Sequence, residues 1–169
     1  MKTPIFLLLM STAFILIVFS AQAQNSSESQ VHPLVFLDDK IISSEEMKQI
    51  NADNISAVEV IKDSALIIPY GSPGKNGVIR IYSIKYATLK YQQVLSQVSA
   101  VYQSRLAQAK SDTGFLYILR EQPLLTNPSG SLIYLKPDSI QSVEFTGRQQ
   151  CLKTYGETKS NGCFVIKMK

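Results

Sequence analysis

Residue types that build catalytic and metal sites are scarce in this sequence. His32 is the only histidine among 169 residues, and Cys151 and Cys163 are the only cysteines. A single histidine leaves little scope for a nucleophilic triad or a histidine-based metal site. No serine or cysteine near it lies in a nucleophile motif such as G-x-S-x-G. We therefore assign no catalytic, cofactor-binding or metal-binding residues and expect no cofactor.

Charge is also sparse and unclustered. Charged residues make up 18% of the chain, the formal net charge is +4, and no run of lysine or arginine occurs. Nucleic-acid-binding proteins concentrate basic residues on one face or stripe, so we expect no nucleic-acid partner. The acidic pairs Asp38–Asp39 and Glu45–Glu46 favour a solvated turn or helix surface over a general acid and base.

The N-terminus has the pattern of a secretory signal. Lys2 precedes an uncharged apolar run from Pro4 to Phe19, and Ala21 and Ala23 frame an A-x-A cleavage site. This predicts a signal peptide over residues 1–23, a mature chain from Gln24, and export. An uncleaved anchor is the alternative, because the run is long for a signal. No cysteine follows the run, which argues against lipid attachment.

An internal repeat organises the rest of the chain. The pairs Tyr70-Gly71 and Asn76-Gly77 recur 85 positions later as Tyr155-Gly156 and Asn161-Gly162. At the same spacing DNISAVEV (53–60) matches DSIQSVEF (138–145), whereas LVFLDD (34–39) aligns with LYILRE (116–121) at a spacing of 82. The second copy therefore holds three extra residues, which we expect in TNPSGS (126–131).

Each copy alternates extended apolar runs with short segments suited to helices, which predicts a βαβαβ unit. The units span residues 33–85 and 115–169. A unit of about 55 residues is near the lower limit for folding alone. We therefore expect an α+β fold in which two tandem βαβαβ units fold together, joined by a long amphipathic helix.

That helix is predicted over residues 88–110. Its apolar residues recur at steps of three and four: Tyr91, Val94, Leu95, Val98, Tyr102 and Leu106. The stripe favours packing against the two units. A helix that binds a partner or a membrane surface is the alternative.

The loop YGSPGKNGVIRIY (70–82) resembles a phosphate cradle only superficially. Gly71 lies too close to the Gly74-Lys75 pair for a Walker loop, Asn76 replaces its serine or threonine, and a strand-like segment follows instead of a helix. The loop instead predicts a structural turn before a strand. Its structural residues in the two copies are Tyr70, Gly71, Gly74, Asn76, Gly77, Tyr155, Gly156, Asn161 and Gly162, with Asn76 expected to tolerate positive φ.

The two cysteines stand at equivalent places in the repeat. Cys151 and Cys163 align with Leu66 and Val78 at the spacing of 85. One would lie on a helix and the other on the closing strand, where the first copy has an apolar pair. We predict a disulfide, which an exported protein permits. Two buried free thiols are the alternative.

The segment PLVFLDDKII…INADNISAVEVIKDSALIIPYGSPGKNGVIRIYSIK (33–85) resembles the plug domain of TonB-dependent outer-membrane receptors, especially the nutrient importers of Bacteroidetes. The second copy resembles it weakly. In those receptors the plug fills a barrel of many strands, each of roughly ten residues, and this chain has no room for one. The resemblance thus implies that this chain uses the plug fold as a free-standing, duplicated module. It does not imply that the chain transports a nutrient.

Two functions follow as expectations. The first is a non-enzymatic envelope protein, periplasmic or associated with the outer membrane, whose plug-like units bind a protein partner or occlude an opening. The alternative is a small secreted hydrolase, or an accessory protein of one, that uses Asp38, Asp39 or His32. A binding role for Lys75 and Arg80 in an exposed loop is an alternative to a purely structural loop. We expect the tyrosines to pack within strands and helices, and stacking on sugars or peptides is the alternative. They are Tyr70, Tyr82, Tyr86, Tyr91, Tyr102, Tyr117, Tyr134 and Tyr155.

Overall fold

Two four-stranded β-sheets form the framework of the protein. The structure is a computed structural model that describes residues 32–63, 65, 68–156 and 160–169. His32–Lys169 forms one compact unit, which agrees with the expectation that the two repeats fold together. The predicted signal peptide, residues 1–23, lies outside the described residues, as does Leu66.

The first sheet has the strand order β2-β1-β4-β3. Its strands are β1 (Leu34–Leu37), β2 (Lys40–Ile42), β3 (Ile55–Ile61) and β4 (Val78–Ser83). β1 and β4 are parallel, and the outer pairs are antiparallel. β3 and β2 are therefore the two edges of this sheet.

The second sheet repeats this topology with the order β6-β5-β8-β7. Its strands are β5 (Leu116–Leu119), β6 (Gln122–Pro123), β7 (Ile140–Gly147) and β8 (Gly162–Met168). Even the irregularities recur, because the register shifts after Ile55 in β3 and after Ile140 in β7, 85 positions apart. The α+β class and the internal repeat are confirmed.

The prediction of three strands per unit is wrong, because each unit has a fourth. β1 turns back into β2, and β5 into β6, through two-residue hairpins. Asp38 and Asp39 have φ of 51° and 64°, and Arg120 and Glu121 have φ of 50° and 66°. Positive φ at both central residues is the geometry of a type I′ turn, whose twist matches that of the flanking strands.

The α-helices given by the described residues include α1 (Ser44–Lys48), α2 (Ile84–Val98), α3 (Ala100–Ala109), α4 (Pro128–Leu132) and α5 (Arg148–Tyr155). α1 and α4 hold equivalent places in the two repeats. Ser43 and Glu46 form a capping box at α1, and the Asn127 side chain accepts from Gly130 N–H at the start of α4. The repeat spacing is 84 at these helices, so two of the three extra residues precede α4 and one follows it.

The connecting helix predicted over 88–110 is not continuous. Ser83 caps α2 directly after β4 by accepting from Tyr86 N–H at 3.1 Å. Ser99 then takes an extended conformation, with φ of −144° and ψ of 108°, and its hydroxyl accepts from Tyr102 N–H at 3.2 Å. Because the Ser99 side chain caps a new helix, the chain bends there and begins α3. Among the described residues, the helices lack the length and apolarity that a bilayer crossing requires.

The apolar stripe of α2 and α3 is packed as core, as the packing interpretation predicted, but its buried residues lie against the second sheet and not against both units. Tyr91, Leu95 and Tyr102 are buried with Tyr117 of β5 and Phe164 of β8. Leu106 and Val94 flank this cluster and are partly buried. The stripe therefore serves as core along most of its length.

The Tyr-Gly loops use their glycines as the repeat predicts. Gly71 and Gly156 have φ of 62° and 72°, and Gly77 and Gly162 have φ of 102° and 147°. Positive φ is costly for residues with a Cβ. The expectation for Asn76 is wrong, because it lies within the 3₁₀ helix Ser72–Asn76 and is absent from the positive-φ residues of the described chain.

The two cysteines are joined in a disulfide. Cys151 lies on α5 and Cys163 on β8, with their Cα atoms 5.7 Å apart. Both are fully buried beside Leu116 and Ile118 of β5. The bond therefore ties a helix to the sheet face opposite the one that α2 and α3 cover.

The equivalent strands β3 and β7 differ in how well they are covered. Phe145 of β7 packs against Phe164 with ring centroids 5.2 Å apart, and the Arg105 guanidinium of α3 lies 4.1 Å from its ring centre. Val60 occupies the equivalent position on β3, and 57% of its surface is exposed. Val58 is exposed as well. The first sheet thus keeps an open apolar strip where the second is covered by a helix.

Candidate binding cleft between the repeats

An open cleft lies where the two repeats meet, and we call it the aromatic cleft. It has a volume of about 500 Å³. The first sheet contributes Asp39, Glu59, Arg80 and Tyr82, helix α2 contributes Tyr86, Lys90 and Val94, and the segment after α4 contributes Ile133, Tyr134, Leu135 and Lys136. Both repeats and the helix between them are needed to form it.

An ion pair lies at the base of the aromatic cleft. The Arg80 Nη2 atom lies 2.5 Å from Asp39 Oδ1, and its Nη1 lies 3.8 Å from Glu59 Oε2. The Tyr86 hydroxyl donates to Asp39 Oδ2, and Lys90 Nζ lies 4.0 Å from that oxygen. The Asp39 carboxylate is therefore held by three neighbours.

These contacts shift the ionisation of the pair. Partial burial would raise the pKa of Asp39, but hydrogen bonds from Tyr86 and Arg80 outweigh it and hold that pKa below its usual value. Burial would likewise lower the pKa of Arg80, and the hydrogen bond to Asp39 keeps it raised. Both groups thus stay charged through the ordinary pH range.

Aromatic rings from both repeats line the wall. Tyr82 stacks on Tyr86 at a centroid distance of 6.1 Å and meets Tyr134 edge-on at 6.2 Å. The Arg80 guanidinium lies 5.1 Å from the Tyr82 ring centre. Tyr82 itself is buried, whereas Tyr134 keeps 49% of its surface exposed. Tyr134 is therefore the ring best placed to contact a bound molecule.

Asp38, the other aspartate of the hairpin, has a structural role. Its carboxylate accepts from the Ser83 N–H and the Ser83 hydroxyl, both at 2.7 Å. Since Ser83 also caps α2, Asp38 fixes the start of that helix against the β1–β2 turn. This geometry explains why an acidic residue follows β1.

Other residues singled out in the sequence lie outside this cleft. His32 and Lys75 are exposed. Glu45 and Glu46 are on the first turn of α1, where Glu46 completes the capping box. Tyr70 packs on Phe36 with ring centroids 5.5 Å apart. In the described part of the chain no group of histidine, cysteine, aspartate and glutamate residues is arranged to hold a metal ion.

Three further tyrosines converge on a buried carboxylate in the core. The hydroxyls of Tyr91, Tyr117 and Tyr102 donate to Asp112 Oδ2 at 2.5, 2.7 and 3.4 Å. Burial raises the pKa of each tyrosine, and the neighbouring carboxylate raises it further. All three therefore remain hydrogen-bond donors at neutral pH.

The sequence did not mark Asp112 or Lys136 as site residues. Asp112 belongs to SDTG, whose only evident signal is the end of a helix. Lys136 lies in a segment of the second repeat that carries no motif of its own. Comparison with known protein families, with characterised proteins and with solved structures finds no match to this chain.

Proposed function

We propose that this chain is a non-enzymatic protein of the cell envelope whose two plug-like repeats together bind a protein partner, or occlude an opening in it, through the aromatic cleft. One observation carries the proposal: Tyr82 of the first repeat and Tyr134 of the second meet beside Arg80 in an open cleft. Tyrosine and arginine are among the residues that most often dominate the energy of protein interfaces.

The two carboxylates of the β1–β2 turn support binding over acid–base chemistry. A general base needs a carboxylate within hydrogen-bond reach of the proton it removes. Asp39 is held by Arg80 and Tyr86, and Asp38 is held by both polar groups of Ser83. No observation favours the hydrolase alternative that sequence raised for Asp38, Asp39 or His32.

The charge of the lining indicates the kind of partner surface that fits. Three basic side chains, Arg80, Lys90 and Lys136, stand beside two carboxylates, Asp39 and Glu59. The lining thus has a small excess of positive charge around its aromatic wall. A partner loop that brings an apolar side chain flanked by an acidic residue would match both properties.

The location within the cell rests on the sequence. The N-terminal apolar run with its A-x-A pattern supports export. The resemblance of residues 33–85 to receptor plugs supports a periplasmic or outer-membrane-associated site. Plug domains of receptors sit inside a barrel, and here the module would act on a separate protein.

Site-specific photo-cross-linking in intact cells tests the proposal. A photoreactive amino acid replaces Tyr134, and in a matched control it replaces Leu152 of α5, which is similarly exposed at 40% and does not line the cleft. We expect one discrete adduct in the envelope fraction from position 134 and none from position 152. The adduct should disappear when Arg80→Glu is added.

Equal labelling from both positions, or adducts only in the cytosolic fraction, would contradict the proposal. The first result would indicate non-specific contact, and the second would remove the envelope location. Circular dichroism of the Arg80→Glu variant controls for its folding.

A further inference from the structure

A second cleft, which we call the acidic cleft, lies on a different face of α2. It has a volume of about 490 Å³. Ile84, Thr88 and Tyr91 of α2 line it, whereas Tyr86 and Lys90 line the aromatic cleft. The other side chains come from both repeats and the 112–117 segment: Asp53, Ile55, Asp112, Thr113, Phe115, Tyr117, Asn127, Pro128 and Ser129.

A carboxylate with an unsatisfied oxygen forms part of this cleft. Asp112 is 5% exposed, and the three tyrosine hydroxyls around it all donate to one oxygen, Oδ2. Oδ1 accepts no hydrogen bond from a described residue. Every fully enclosed side-chain oxygen or nitrogen in the described chain has a partner, so Oδ1 is not fully enclosed, and Asp112 is one of the residues that line the cleft.

The charge of this carboxylate has no basic partner in the described chain. None of the ion pairs between described residues involves Asp112, and none of the described lysines or arginines lines the acidic cleft. A nearly buried charge is costly unless it is paired. Tyrosine hydroxyls stabilise the anion, but they leave its net charge in place.

The remaining walls suit a cation on an apolar chain. Asp53 adds a second carboxylate among the lining residues. Tyr91, Phe115 and Tyr117 also line the cleft and make part of its wall apolar. The whole chain carries a formal charge of +4, so the negative charge of this cleft is a local property.

We infer that the acidic cleft binds an organic cation, an ammonium or guanidinium group on a short apolar chain, with the charged end at Asp112 Oδ1. The ligand is either a free amine or the lysine or arginine side chain of a peptide. The inference is independent of the aromatic cleft, since the two clefts share no lining residue.

Titration of the ¹⁵N-labelled protein with n-butylammonium, followed by NMR, tests this site. We expect saturable shifts of the Thr113 and Phe115 amides, with n-butanol as the neutral control giving none. Asp53→Asn should weaken binding about two- to fivefold, as expected for an exposed charge. Asp138→Asn is the matched control, because Asp138 holds the equivalent position in the second repeat and does not line the cleft; it should leave the affinity unchanged.

Asp112→Asn should weaken binding roughly tenfold or more, because it removes the charge that the ligand pairs with. If that variant fails to fold, the Asp53→Asn and Asp138→Asn pair decides the question alone. Equal shifts with n-butanol, no saturable shift with n-butylammonium, or equal effects of the Asp53 and Asp138 substitutions would overturn the inference.

A blocked tripeptide, acetyl-Ala-Lys-Ala-amide, separates the two sources of the cation. Shifts of the same amides at lower concentration than n-butylammonium support a basic side chain of a protein. Shifts with n-butylammonium alone support a free amine.

Discussion

Alanine substitution of two glycines in the second repeat should have clearly different costs. Gly156 has φ of 72°, and no atom of the described residues lies within 4 Å of the place that a β-carbon would take there, so among those residues Gly156→Ala meets only backbone strain. That strain is about 1–2 kcal/mol, partly offset by a less flexible unfolded chain. A β-carbon on Gly162 would lie 2.7 Å from the Thr146 carbonyl oxygen and 2.6 Å from the Phe145 ring, at φ of 147°.

The ring can move, but the backbone carbonyl belongs to the β7–β8 ladder and cannot. Overpacking of this kind adds about 1–3 kcal/mol to the backbone strain. We therefore expect Gly162→Ala to lower the free energy of unfolding by about 2–5 kcal/mol and Gly156→Ala by about 1 kcal/mol. Urea unfolding of the oxidised protein, with unchanged m-values, measures both. Equal losses for the two variants would refute the close approach at Gly162.

Three other perturbations test separate parts of the structure. Replacing Cys151 and Cys163 together by serine should lower the free energy of unfolding by roughly 3 kcal/mol, the chain-entropy value for a loop of this size, and mass spectrometry of the unreduced exported protein should find no free thiol. Burial alone would raise the pKa of Asp39, but the hydrogen bonds from Tyr86 and Arg80 outweigh it, so the pKa of Asp39 lies below 3.8. Wild type should therefore be more stable than Asp39→Asn by its full margin above about pH 4, and this margin should vanish as the pH falls through the lowered pKa. Urea unfolding of both proteins over a range of pH measures it. Phe145→Ala should cost about 2–3 kcal/mol, whereas Val60→Ala at the equivalent exposed position should cost less than about 0.5 kcal/mol; similar losses would contradict the difference in covering between the two sheets.

The internal repeat could be predicted because the backbone conformation of its loops requires particular residues at particular positions. Gly77 and Gly162 recur at one spacing because the chain needs positive φ before each closing strand. The strands then pair in the same order in both sheets. The spacing of a few special residues therefore predicted the duplication, but it predicted neither the strand order nor the fourth strand of each sheet.

Short elements escaped prediction because their signals are weak. The hairpin turns use Asp38-Asp39 and Arg120-Glu121 at positive φ, where asparagine and glycine are the usual residues. The strands that follow have three and two residues, too few for a periodic pattern. Ser99 breaks the connecting helix, yet a serine inside an apolar periodicity also occurs in continuous helices.

The candidate cleft could not be assembled from the sequence. Asp39 and Arg80 are 41 positions apart, and Tyr134 comes from the other repeat. Sequence reasoning singled out each of them separately, but Asp39 and Arg80 meet through the pairing of β1 with β4, and Tyr134 joins them only because the two repeats pack together. One such contact joins Asn127 Nδ2 to the Ser56 carbonyl oxygen at 2.7 Å, and neither residue had a pattern that indicated it.

The affinity of the cross-linked partner for three purified proteins is the most direct test of binding at the junction of the repeats. Wild type, Tyr134→Ala and the control Leu152→Ala are compared by calorimetry at one salt concentration. Loss of a tyrosine at the centre of an interface costs about 1–2 kcal/mol or more, so Tyr134→Ala should bind about tenfold more weakly while Leu152→Ala binds as wild type does. An unchanged affinity for Tyr134→Ala would contradict the proposed binding site.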